Sequence, residues 1–241
     1  MESDRPVPSS DVDAEIEAIL SGLEGATHYR DWLLELAGPH LGGRILEVGS
    51  GRGTYSPFLR ALGTSLVAVE PAAGGAEETR RRLASVDSCE VVEGVLADVD
   101  GARRFDAAVM LNVLEHIDDD RGTLVELRGR LDQGGTLVVW VPAFPALLGE
   151  FDRRIGHVRR YRRRGLEALA REAGFEVVDC RYANMPGLFA WWLVVRVLRL
   201  TPTAGGLAGL YDRWVVGAVR AVERRVRPPF GQSLLLVARA R

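Results

Sequence analysis

The sequence predicts an α/β protein built on a doubly wound, mostly parallel sheet of seven strands, with a helical cap before the first strand and a helical insertion before the last. Three observations carry this expectation. Short β-rich runs alternate with helical periodicities through residues 41–183. The first run ends in a glycine turn, Gly49-Ser50-Gly51-Arg52-Gly53. The alternation then breaks between Ala183 and Gly231, where apolar residues recur at helical spacing before a closing run, SLLLVARA.

In chain order, residues 1–10 are acidic and rich in Pro and Ser, the composition of a disordered tail. Asp11 to Gly22 and Thr27 to Leu36 show helical spacing and make up the predicted cap. Arg44 to Val48 reads as the first strand and Tyr55 to Leu62 as a helix. Leu66 to Glu70 is the second strand, followed by a helix from about Gly75 to Leu83. Glu90 to Gly94 and Phe105 to Leu111 give two more strands. A helix carrying Leu124, Leu127 and Leu131 leads into a strand from Thr136 to Val141. After an arginine-rich loop come a helix from Leu166 to Ala173 and a sixth strand in GFEVVDCRY. Strands alternating with helices at this spacing predict a sheet covered on both faces. The expected divisions are a tail and cap over 1–40, a core over 41–183, an insertion over 184–230 and the last strand within 231–241.

Composition narrows the function. With 47% hydrophobic and 27% charged residues in 241, the chain can bury a sizeable core. A net charge of −2 gives no global attraction for nucleic acid, so none is expected as partner. All 31 basic residues are arginine, a bias that touches core and surface alike. Cys89 and Cys180 lie apart in strand-like contexts and read as buried free thiols, neither a disulfide nor a metal site. The start MESDRPVPSS has no apolar stretch of a secretory signal, so a cytoplasmic location is expected.

The glycine turn follows a strand and precedes a helix, where missing side chains let backbone N–H groups approach a ligand. Its spacing is G-x-G-x-G, one residue short of the dinucleotide fingerprint, which argues against a nicotinamide cofactor and an oxidoreductase. Glu70 ends the second strand about twenty residues on, where a carboxylate can accept both hydroxyls of a ribose.

With EVGSGRG, VAVEP and FDAAVMLNVLEHI in place, the chain resembles the class I S-adenosylmethionine-dependent methyltransferases, across Leu41 to Arg181 and in outline to the C-terminus. The resemblance implies their Rossmann-like sheet and S-adenosyl-L-methionine as cofactor. It sets Glu47 near the methionine amino group, Gly49 and Gly51 against the cofactor, Glu70 on the ribose and Pro71 beside the adenine. Asn112, Val113 and Leu114 then border the methionine end, and Tyr29 in THYRDWL meets the methionine carboxylate. Where the family often has Gly-Asp after the third strand, this chain has Gly94-Val95, with Asp98 three residues on. Either Asp98 folds back, or Leu96 holds the adenine through backbone and packing.

The donor carries its own leaving group, so the protein's task is in-line positioning, worth up to roughly 7–11 kcal/mol. A base matters where the acceptor must lose a proton. His116 follows the fourth strand at the carboxyl edge of the sheet, as a base or as packing at the start of the next helix. His157 lies in GEFDRRIGHVRRYRRRGL with Asp152 and Tyr161, a run similar to one in related methyltransferases. His116, His157 and Tyr161 are thus the catalytic candidates, and Asp152, Arg159 and Arg160 the candidates for holding the acceptor. No metal is expected. The seven arginines from Arg153 to Arg164 read as a solvated face or as forks for an anionic acceptor. The insertion has only eight apolar residues, Leu188 to Val195, before Arg196, short of the roughly 20 that span a bilayer. It reads as a lid, a dimer face or, with Trp191 and Trp192, a membrane contact. The expected activity is methylation of N or O, less readily C, in a small acceptor, sugar-bearing or phosphorylated, in secondary metabolism such as antibiotic biosynthesis. A lipid-linked or membrane-proximal acceptor and a non-catalytic cofactor-binding scaffold are the alternatives.

Overall fold

Strands β1 (Arg44–Val48), β2 (Ser65–Glu70), β3 (Cys89–Glu93), β4 (Phe105–Leu111), β5 (Leu131–Pro142), β6 (Phe175–Ala183) and β7 (Ser233–Ala240) form one sheet. Their order is β3-β2-β1-β4-β5-β7-β6. The pairs from β3 to β5 are parallel, and β7 runs antiparallel between β5 and β6. The computed structural model describes residues 25–193 and 211–241. The expected helix from Asp11 to Gly22 lies outside them, as does the part of the insertion from Val194 to Leu210.

The central strands are buried on both faces, which is why they read as unbroken apolar runs. Ile45 and Leu46, adjacent in β1, belong to two separate cores. One core packs Leu46, Met110 and Val139 under α4 (Asp120–Arg130) and α6 (Arg163–Glu172). The other packs Ile45, Val109 and Trp140 under α1 (Thr27–Ala37) and α8 (Gly217–Glu223). The remaining long connections are α2 (Ser56–Leu62) after the glycine turn and α3 (Ala73–Leu83) after β2.

Two boundaries differ from expectation. Leu131, read as a helical position, opens β5: its backbone is extended, its side chain is buried and it pairs with Phe105. The strand then bulges through Gly134, at φ 78°, before the run from Thr136. A short helix, α5 (Glu150–Arg154), also interrupts the arginine-rich loop. Cys89 and Cys180 are free thiols as expected, but half-buried at the two sheet edges and not fully enclosed.

The insertion begins with α7 (Met185–Trp191) and returns through a π-helical turn, Tyr211–Val216, into α8. Hydrogen bonds tie it to the cap. Asp212, buried, accepts the free N–H groups of His28 (3.1 Å) and Tyr29 (2.9 Å) at the start of α1. Glu35 pairs with Arg220 and Arg224, and Glu223 accepts the amides of Asn184 and Met185 (both 3.1 Å). Among the described residues, α1, the π-helical turn and α8 are thereby joined in one helical layer. Among the described residues no helix is long and apolar enough to cross a membrane.

Candidate functional site

The strand order reverses between β1 and β4, and the crevice at the carboxyl ends of these strands is where open α/β sheets take ligands. Two groups of residues stand at these strand ends, and Val113 of one lies against Gly49 of the other.

The first is the glycine turn. Gly49, Gly51 and Gly53 all have left-handed backbones, at φ 72°, 56° and 74°. Their surroundings differ. A Cβ on Gly49 would lie 2.5 Å from Val113 Cγ2, so this glycine lets the β1 and β4 turns close on each other. A Cβ on Gly53 would meet Thr79 Cα at 2.9 Å, so that glycine serves the packing of α3. A Cβ on Gly51 would meet nothing within 4 Å, so its bare backbone faces an open cradle.

Glu70 borders that cradle. Its Oε2 accepts the Gly51 amide at 2.7 Å and its Oε1 the Ala72 amide at 3.0 Å. A carboxylate has about four lone-pair sites, so two remain for hydroxyl groups of a ligand. Glu47, beneath the turn, accepts the Ser56 hydroxyl at 2.6 Å and is buried. Burial raises its pKa to about 7, against the lowering effect of Ser56. On the far side, Pro71 is exposed and Leu96 is buried. Asp98 turns back to accept the Val95 amide at 2.8 Å, which leaves Leu96 as the residue packed inward there. Tyr29 stands edge-on to Trp32 and Trp140, and its hydroxyl accepts Trp140 Nε1 at 3.1 Å beside Ser233 Oγ at 3.5 Å. The hydroxyl is thereby turned into the seam between the α1 layer and the sheet.

The second group stands on the β4 turn and the loop after β5. Asn112, also left-handed at φ 55°, donates its amide to the Trp140 carbonyl at 2.8 Å. The chain then passes Val113 and the buried Leu114 into Glu115 and His116. Glu115 is fully buried, and neither carboxylate oxygen has a hydrogen-bond partner. Burial raises its pKa to about 8, partly offset by its own backbone amide and the Arg160 charge. His157 Nε2 stands 3.7 Å from Glu115 Oε1, too far for a hydrogen bond. The rings of His116 and His157 meet edge to face with centroids 4.7 Å apart. His116 is exposed to solvent on one side, and on its protein side burial and the neighbouring His157 lower its pKa to about 4.

Asp152 organises this group. Fully buried, it accepts His157 Nδ1 at 3.0 Å, Arg160 Nε at 2.8 Å and the Gly149 amide at 2.9 Å. Burial alone would raise its pKa, but these partners outweigh it and hold the carboxyl below its ordinary value. Arg160 is itself buried and stacks over Trp191 of α7 at 4.2 Å. Arg159 pairs with Asp120 at 2.7 Å, and the Tyr161 hydroxyl reaches Asp120 Oδ2 at 2.9 Å and the Leu114 carbonyl at 3.2 Å. Burial and the Asp120 charge push the Tyr161 pKa up.

Both catalytic histidine candidates and Asp152 are thus brought together, whereas Tyr161, Arg159 and Arg160 spend their polar groups on other residues of the chain. Glu115 is the member that sequence reasoning missed. It sits inside an apolar-looking stretch, and its neighbour His157 comes from a loop on another strand.

A mostly parallel sheet with a glycine turn and a second-strand acid at its switch point is a frame suited to a nucleoside-bearing ligand. Comparison with known proteins gives the class. Residues 23–179 match the family described as a methyltransferase domain, and the chain belongs to that family. It is 28% identical over 194 residues to a demethylmenaquinone methyltransferase of Clavibacter sepedonicus, covering 79% of this chain and 76% of that one. In fold it is similar to the N-methyltransferase NodS of Bradyrhizobium japonicum WM9, solved with S-adenosyl-L-homocysteine. That match has a TM-score of 0.58 at 16% identity and covers 89% and 85% of the two chains. It is also similar to the methyltransferase solved with the Trm112 activator of Haloferax volcanii, at TM-score 0.65 and 16% identity over 98% and 99%. The protein is an S-adenosylmethionine-dependent methyltransferase of small-molecule type. The open cradle at Gly51 and the spare acceptor sites on Glu70 fit that cofactor.

Proposed function

We propose that this chain transfers the methyl group of S-adenosylmethionine to an oxygen atom, or less readily a nitrogen, of a small-molecule acceptor. In this reading Gly49 and Gly51 lie along the cofactor, Glu70 takes the ribose and Pro71 and Leu96 flank the adenine. Glu47 faces the methionine ammonium, and Asn112, Val113 and Leu114 border the sulfonium end with Tyr29 in the wall behind. The acceptor enters over α7 and presents its reacting atom to Glu115, His116 and His157.

The observation that carries the proposal is Glu115: a fully buried carboxyl without a partner, two residues from the valine that closes on Gly49. Leaving such a group unsatisfied costs about 1–3 kcal/mol or more, which is tolerated where the site has a use for it. With a pKa of about 8, Glu115 already holds a proton at neutral pH, so the imidazole rings beside it are the groups placed to take the proton of a hydroxyl acceptor. The S–CH3 bond breaks as the O–CH3 bond forms, the electron pair stays on sulfur as S-adenosylhomocysteine, and the hydroxyl proton passes to the cluster and on to solvent.

A second reading has support from the helical layer. Phe189, Trp192, Leu193 and Trp214 are exposed on the insertion, which suits an acceptor with a long apolar portion, and the Clavibacter sepedonicus relative is named for a quinone. An anionic acceptor gains less, because Arg159 and Arg160 are turned onto Asp120 and Asp152. Incubation with methyl-labelled cofactor and panels of phenols, sugars and prenylated quinols, followed by mass spectrometry, tests both. An O-methylated product supports the proposal, and products carrying only methylated carbon overturn it.

A further inference from the structure

The acceptor-side cluster has the makings of more than a proton acceptor. We infer that Glu115, His116 and His157 form a binding site for one divalent transition-metal ion of the zinc class. One ligand atom from each of the three lies within 4.8 Å of the others. Ligand atoms about 2.0–2.2 Å from a tetrahedral zinc stand about 3.4 Å apart, close to the 3.7 Å between His157 Nε2 and Glu115 Oε1. The remaining separations among the three ligand atoms are at most 4.8 Å.

The outer contacts point the same way. His157 Nδ1 is bound to the buried Asp152 at 3.0 Å, and the Nδ1 side of the His116 ring lies against Gly156. His157 therefore has Nδ1 anchored on a carboxylate and Nε2 left over, as in carboxylate–histidine–metal arrangements. Glu115 supplies the independent sign of a ligand: a fully buried carboxyl group within 4.8 Å of a ring nitrogen of each histidine, with neither oxygen hydrogen-bonded. A cation removes that cost directly. His116 is exposed, so an ion has a way in. Two imidazoles and one carboxylate suit zinc, cobalt or ferrous iron and leave coordination positions open on the acceptor side. Sequence spacing alone hides this site, because His157 arrives from the loop after β5 while its partners follow β4.

Ion binding is independent of the acceptor reading; only the ion's use, holding an acceptor oxygen as its anion, rests on it. The test is titration of the full chain, stripped with chelator, with Co2+, followed by visible absorption and calorimetry. One equivalent is expected to bind, with the d–d bands of a nitrogen- and oxygen-ligated ion. His116→Ala, at an exposed position, and the isosteric Glu115→Gln are each expected to weaken binding by at least about 10- to 100-fold, since outer-shell changes alone cost that much. Affinity for S-adenosylhomocysteine, measured in the same samples, is expected to stay as in the parent and reports that both variants are folded. Absence of saturable Co2+ binding, or binding unchanged in both variants, overturns the inference. Methyl transfer that proceeds fully in chelator would also overturn the ion's role while leaving the acceptor reading intact.

Discussion

Gly51 and Gly53 are two residues apart, share a left-handed backbone and have opposite surroundings, so alanine at each should produce opposite phenotypes. At Gly51 a Cβ meets no protein atom within 4 Å, and the cost to folding is the left-handed strain of a non-glycine residue, about 1–2 kcal/mol. The added methyl projects into the cradle, so cofactor affinity is expected to fall at least ~10-fold, or about 1.4 kcal/mol. At Gly53 the same strain is joined by contact with Thr79 Cα at 2.9 Å, a backbone atom that cannot turn away. Overpacking of this kind adds about 1–3 kcal/mol, for a total of about 2–5 kcal/mol. Urea denaturation gives the stabilities, and calorimetric titration with S-adenosylhomocysteine gives the affinities. Gly51→Ala should be mildly destabilised and bind poorly; Gly53→Ala should be strongly destabilised and, where folded, bind within a few-fold of the parent. A Gly53→Ala variant that keeps its stability and loses affinity as Gly51→Ala does would refute this division of roles.

Glu47, with a pKa of about 7, should make cofactor binding pH-dependent: its ionised fraction falls about 25-fold from pH 7.5 to 5.5, and affinity for the ammonium-bearing ligand should fall with it. Glu47→Gln should bind weakly with a flat profile, which titrations at several pH values check. Because the folded-state pKa lies above the ordinary 4.5, the folded form favours the proton, so this group's contribution to apo stability declines as pH rises through 4.5 to 7. Glu47→Gln should therefore be more stable than the parent above pH 7, by up to about 3 kcal/mol, as read by thermal melts. Asp152→Ala strands the buried Arg160 and should cost about 3–5 kcal/mol in urea denaturation; a loss under 1 kcal/mol would mean that Arg160 finds another anion.

The core of this fold was legible because its signals are local. Strands buried on both faces announce themselves as apolar runs, and a turn with three left-handed positions favours glycine at each. Glu70 could be found by its distance from that turn, and the separate roles of Gly51 and Gly53 only by knowing that Thr79 lies under the second. Leu131 was read as helical because its spacing from Leu127 suits either state, and pairing with Phe105 decides it. Glu115 escaped for a different reason. Its burial is made by the loop from Gly149 to Tyr161, whose path depends on Asp152 gathering Gly149, His157 and Arg160 around one carboxylate. The same gathering turned Arg160 from a candidate ligand for an acceptor into a partner for a buried acid.

In the proposed function the crevice has two compartments, a cofactor side at Gly51 and Glu70 and an acceptor side at Glu115, His116 and His157. Steady-state kinetics on a hydroxyl acceptor, comparing Glu70→Ala with His157→Ala, test it most directly. Glu70→Ala should raise the KM for S-adenosylmethionine with little change in the acceptor KM. His157→Ala should leave S-adenosylhomocysteine affinity near that of the parent and lower kcat by about 100-fold or more. If His157→Ala turns over at the parental rate, or if both variants lose only cofactor affinity, the two-compartment site is wrong.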